Sequence, residues 1–145
     1  MKAREPLMRP AGISALAVFF AAGALIALVS AMSLLAPGSV LEPMWQLNPR
    51  AHSAFVKMRV WAPALLIMLS LACGTTACGL WLGWRWGYRL AFGLLIIQLA
   101  GDLINVLLGI EPRAAFGIPI VAVLLWFLGT ARVRVFLNQP ELAAV

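Results

Sequence analysis

Residues 90–110 read LAFGLLIIQLAGDLINVLLGI, a run that is apolar apart from Gln98, Asp102 and Asn105. A helix rising 1.5 Å per residue needs about 20 mostly apolar residues to cross a hydrocarbon core of ~30 Å, and this run has that length. Three further runs share its character: Ile13–Leu35, Val60–Trp81 and Ala114–Ala131. Together they occupy most of the 145 residues, with short connections and no linker. The expected fold is all-α: an antiparallel four-helix transmembrane bundle, a single transmembrane domain over residues 1–145 with helices at approximately 13–35, 60–81, 90–110 and 114–131.

Composition supports a membrane setting. Hydrophobic residues make up 63% of the chain and charged residues 11%, against roughly 25% charged in soluble domains. The net charge of +6 does not point to nucleic acid, because the basic residues stand singly at the ends of apolar runs, where membrane topology places them. Lys2, Arg4, Arg9, Arg85, Arg89, Arg132 and Arg134 fall on one side; Arg50, Lys57, Arg59 and Arg113 fall on the other. The positive-inside rule puts both termini in the cytoplasm. Lys2, Arg4 and Arg9 resemble a signal-peptide n-region, but the run that follows exceeds the ~7–15 residues of a signal h-region, so a retained anchor helix is expected.

Cys73 and Cys78 stand five residues apart within one apolar run. On a helix that spacing turns the two thiols roughly 140° apart, so they neither pair readily nor form a redox Cys-x-x-Cys. They read as packing residues. Gly23, Ala27 and Ala31, and likewise Thr75, Gly79 and Gly83, recur every four residues. Such rows of small residues let helices approach closely.

The longest connection runs from Ala36 to Arg59. Pro37-Gly38 ends the first helix, Ser39-Val40-Leu41-Glu42 matches a capping box, and Asn48-Pro49 is a second helix start. That second helix is expected to lead directly into the next span, with Pro63 as a kink. Met44, Trp45 and Leu47 suit burial at the bilayer surface, so the loop reads as a short extracytoplasmic helical cap. His52 reads as a surface histidine. The second connection, Trp81 to Arg89, is tight and aromatic. Trp84, Arg85, Trp86, Tyr88 and Arg89 read as interface anchors, with a site for an anionic lipid or a quinone-like ring as the functional alternative.

The most informative polar feature is the stripe Gln98, Gly101, Asp102, Asn105 and Gly109, spaced by three and four. Asp102 lies about 13 Å below the outer edge, near the midplane. A charged aspartate there costs ~2.5–3.5 kcal/mol, so it should face the bundle interior. Depth matching sets Ser70 near Asp102, Ser30 near Asn105 and Thr75 near Gln98. A buried polar cluster among the first three spans is therefore expected, with the fourth packing through apolar contacts. The cluster is either a candidate pathway built on a protonatable carboxylate or a set of inter-helix hydrogen bonds worth about 0.6–2 kcal/mol each. Arg113 is a further candidate partner, although snorkelling favours the headgroups for it. Five acids and one histidine, with one acid inside the bilayer, leave no converging set for a catalytic or metal site. No cofactor is implied.

Several segments carry a resemblance when taken together. Pro37-Gly38-Ser39, Met44-Trp45-x-Leu47-Asn48-Pro49, Gly79-Leu80-Trp81 with Trp86-Gly87, and Gly101-Asp102-x-x-Asn105 leading to Pro112-Arg113 and Gly117-Ile118-Pro119-Ile120 resemble an uncharacterised family of small bacterial four-helix integral membrane proteins. The resemblance implies a bacterial cytoplasmic (inner) membrane, crossed several times, and carries no activity with it. The leading functional expectation is a non-enzymatic multi-pass integral membrane protein, an accessory or scaffold subunit of a membrane complex. The alternatives are a small oligomeric proton- or cation-coupled transporter using Asp102, and a lipid- or quinone-binding membrane protein. The expected partners are membrane lipids and either a membrane-protein partner or further copies of the chain.

Overall fold

The computed structural model describes residues 11–109, 114–130 and 133. Expectations for Lys2, Arg4 and Arg9, for Ile110 and the Glu111-Pro112-Arg113 turn, and for Ala131, Arg132, Arg134 and the tail lie outside these residues. Every described element is helical. In chain order they are α1 (Ala11–Leu35), a 3-10 helix (Glu42–Leu47), α2 (Pro49–Met58), α3 (Trp61–Trp81), α4 (Arg85–Leu107) and α5 (Ala114–Leu128). Helices α1, α3 and α4 are long and apolar enough to cross a membrane, and the chain is a membrane protein on that ground. Helix α5 is equally apolar but has 15 residues, about 22 Å at 1.5 Å per residue, shorter than the run of 18 from which a fourth span is expected.

The chain forms two compact units. One comprises the described residues of Met1–Val18 and Thr76–Val145; the other is Phe19–Thr75. In the first unit α4 and α5 pack antiparallel. The Tyr88 hydroxyl at the start of α4 donates to the Leu128 carbonyl at the end of α5 at 3.2 Å, and Asp102 near the end of α4 meets Gly117 at the start of α5. Ile13, Leu16, Leu80, Ala91, Leu95 and Leu128 are buried here. Phe127 lays its ring over Gly12, where a side chain would collide with it.

Glycine chemistry makes the α3–α4 connection. Gly83 takes φ 71°, Gly83 N–H bonds Leu80 O at 3.2 Å and Trp84 N–H bonds Gly79 O at 2.8 Å. This is the paired closure of a Schellman motif, which needs the left-handed residue that glycine supplies without strain. A Cβ on Gly87 would stand 2.5 Å from the Gly79 carbonyl carbon, so the two backbones touch. Helix α4 then begins at Arg85, five residues before the start expected from hydropathy alone. Arg85, Trp86, Tyr88 and Arg89 are helical, and the turn itself is Leu82–Trp84. Polar and aromatic residues in a first helical turn hide the helix start from a hydropathy reading.

In the second unit Ser70 Oγ on α3 donates to the Ala24 carbonyl of α1 at 2.8 Å. Trp45, 8% exposed, donates its indole N–H to Ser33 Oγ at 3.0 Å. Its ring stacks on His52 with centroids 4.9 Å apart and meets Phe55 edge-on at 5.9 Å. His52 is thus half-buried at the surface, its ring stacked on an aromatic face. Met44 is half-buried, while Leu47 is exposed. Asn48 caps α2 as its sequence predicts, accepting from Ala51 N–H at 3.1 Å with Pro49 at the first helical position.

Two local expectations change. The capping box does not form: Glu42 Oε2 accepts from Gly38 N–H at 2.8 Å, and the residue flanking the 3-10 helix is Leu41, without a side-chain cap. The left-handed Gly38, φ 79°, turns its N–H toward that carboxylate. Nor does α2 run into α3, because Arg59 adopts φ 51° and breaks the ladder before Trp61. Pro63 therefore sits in the first turn of α3, where its missing N–H is one of the unpaired donors anyway, and no kink is needed.

Candidate functional site

Asp102 is 7% exposed, and from Leu90 to Leu107 the other polar side chains of its helix are those of Gln98 and Asn105. Its neighbour one turn earlier, Gln98, donates from Nε2 to Asp102 Oδ1 at 2.8 Å. This is the i, i+4 spacing at which helical side chains meet. The second carboxyl oxygen, Oδ2, is enclosed and takes no hydrogen bond from the described residues. It abuts Gly117 on α5: a Cβ built there overlaps Oδ2 and stands 3.1 Å from Cγ. One Cα–H bond of Gly117 points along that same direction, so Oδ2 faces a weak carbon donor. Absence of a side chain at Gly117 is what admits the carboxyl group between the helices.

This arrangement departs from expectation: of the cluster expected to be buried, Gln98 and Thr75 are exposed, and Asp102 meets a different helix. The sequence places Asp102 among the first three spans, with the last one packing through apolar contacts alone. Asp102 instead meets the last helix, because a glycine backbone accommodates a carboxyl group without any polar side chain. Depth matching looks for polar partners and passes over a glycine. The available signal is Gly117 itself, the one glycine of α5, two residues before Pro119.

Asn105 is half-buried on α4, and Gly101 has open space where a side chain would go. Ser30, Ser70 and Thr75 belong to the other unit. Ser30 is buried, Ser70 is bonded to the Ala24 carbonyl, and Thr75 returns its hydroxyl to Leu71 and Ala72 of its own helix at 2.9 and 3.0 Å. A threonine bonding back to the preceding turn needs no inter-helix partner. Buried Thr76, next in sequence, is polar and fully enclosed, and the every-four-residues reading through Thr75 passes it by.

Of the interface anchors, Trp84, Arg85, Trp86 and Arg89 are exposed at one end of α3 and α4. Trp84 and Trp86 lie 5.4 Å apart, centroid to centroid. Tyr88 differs, being half-buried and bonded to α5. Cys73 and Cys78 are free thiols. A pocket of about 530 Å³ opens beside the loop, lined by Glu42, Trp45, Gln46 and His52 among others. Among the described residues no three of His, Cys, Asp and Glu gather as a metal site would require.

Comparison with models of known protein families, with curated proteins and with solved structures finds no match for this chain.

Proposed function

We propose that the chain is a non-enzymatic multi-pass protein of the bacterial inner membrane that serves as an accessory or scaffold subunit of a membrane complex. In this reading α1, α3, α4 and the shorter α5 make an antiparallel four-helix bundle. The loop from Ala36 to Arg59 caps it on the extracytoplasmic side, and both termini are cytoplasmic. The observation that carries it is the seat of Asp102. The one carboxylate in the spans is held by Gln98 of its own helix and closed over by Gly117 of the next. Those are contacts that fix how two helices pack. Native mass spectrometry of the protein, gently extracted from its own membrane at natural abundance, tests the reading. A stoichiometric foreign membrane protein is the expected result; copies of this chain alone would overturn it.

A second reading is favoured by one observation: Asp102 Oδ2 takes no hydrogen bond from the described residues, and such an acceptor can hold a proton or small cation. It makes the protein a small oligomeric proton- or cation-coupled transporter. Flux in proteoliposomes that Asp102→Asn abolishes would support it, and flux left unchanged by that substitution would end it.

A further inference from the structure

Leu94, Gln98, Gly101 and Asn105 follow one another at spacings of four, three and four along α4, the spacing of a helix seam. Leu94, Gly101 and Asn105 are half-buried and Gln98 is exposed. Around Gly101 nothing lies within 4 Å of where a side chain would stand. The Gln98 amide donates one N–H to Asp102. Its other N–H and its oxygen have no partner among the described residues. Gln98 sits about 20 Å along the helix from Arg85 and 14 Å from Leu107, at a depth where only hydrocarbon would meet an uncovered amide. Lipid tails cannot answer it, and an unsatisfied polar group there is costly.

We infer that this seam of α4 is the surface on which a second copy of the chain packs. The occupant follows from the chemistry of the carboxamide, which both donates and accepts. Across a twofold axis the free N–H of Gln98 in one copy meets the oxygen of Gln98 in the other, and the reverse contact forms by symmetry. Asn105, a heptad further on, repeats the pairing. Gly101 between them lets the two backbones close to the distance such bonds need. Beyond Arg89, the opposite side of the helix through Ile96 and Leu103 is apolar and exposed, as a lipid-facing side should be. This pairing does not rest on the accessory-subunit reading, since the copies pair whether or not a foreign protein binds elsewhere.

Disulfide cross-linking in native membranes tests it, in a chain carrying Cys73→Ala and Cys78→Ala. With Gly101→Cys or Leu94→Cys added, oxidation should give a covalent dimer; with Ile96→Cys it should give little. Replacing Gln98 and Asn105 by leucine should lower the dimer fraction from Gly101→Cys about tenfold. Asn105→Leu alone leaves the Gln98–Asp102 bond intact, so the fold is undisturbed, and it should lower that fraction about threefold. Equal cross-linking at Ile96→Cys, a dimer fraction insensitive to both leucines, a product with a foreign protein, or no product at all because the chain's own helices cover the seam would each overturn the inference.

Discussion

At Gly117 the volume that a methyl group would fill is already held by the Asp102 carboxyl. Gly117→Ala must therefore push either the carboxyl or α5 aside, and overpacking of this kind costs about 1–3 kcal/mol. Gly93, also on a membrane helix, has open space in the same position, so Gly93→Ala should be neutral or stabilising by roughly 0.5–1 kcal/mol through helix propensity. Unfolding by SDS in mixed micelles measures both. Adding Asp102→Ala to Gly117→Ala should recover most of the loss, because the colliding group is gone; a purely additive pair would show that the two residues do not touch. At this scale the sequence marks Asp102 as a residue that must be buried, on the energy of a charge in hydrocarbon. It does not mark Gly117, because a glycine in an apolar run fits many roles and only its neighbour distinguishes them.

The α3–α4 connection shows how an element boundary depends on backbone geometry. Gly87 packs on Gly79 with no room for a Cβ, and the atoms in the way are backbone atoms that cannot rotate aside. Gly83 needs only its positive φ. Gly83→Ala should therefore cost about 1–2 kcal/mol, the left-handed penalty. Gly87→Ala should cost more than about 3 kcal/mol, above the usual overpacking range. The thermal midpoint of the detergent-solubilised protein would rank them, and a Gly87→Ala variant as stable as Gly83→Ala would contradict the backbone contact. Where a helix signal is local the sequence reads true, as at Asn48-Pro49, whose cap forms. Where two local signals compete it misleads: Glu42 suits a capping box with Ser39, yet the left-handed Gly38 presents its own N–H to that carboxylate and takes it.

For the whole molecule, the apolar surface is the dominant fact. Leu25, Ile26, Ile97, Phe116 and Trp126 are all more than 60% exposed, which water would penalise and lipid tails would not. The proposed orientation makes a sharp prediction. In intact cells, with Cys73→Ala and Cys78→Ala in place, Ser53→Cys in the long loop should react with an impermeant maleimide. Leu82→Cys in the tight turn should react only after the membrane is opened, and the reverse pattern would invert the topology. The sequence alone determined that this chain is helical and belongs in a membrane, because length and apolarity are properties of contiguous residues and the bilayer imposes both. It also determined that Asp102 would be buried. Only the tertiary structure decided what encloses Asp102, where α4 begins, and that α5 is seated on α4 through a glycine. Those outcomes depend on which residues far apart in sequence come into contact, and a small residue takes its meaning from the atom that ends up beside it.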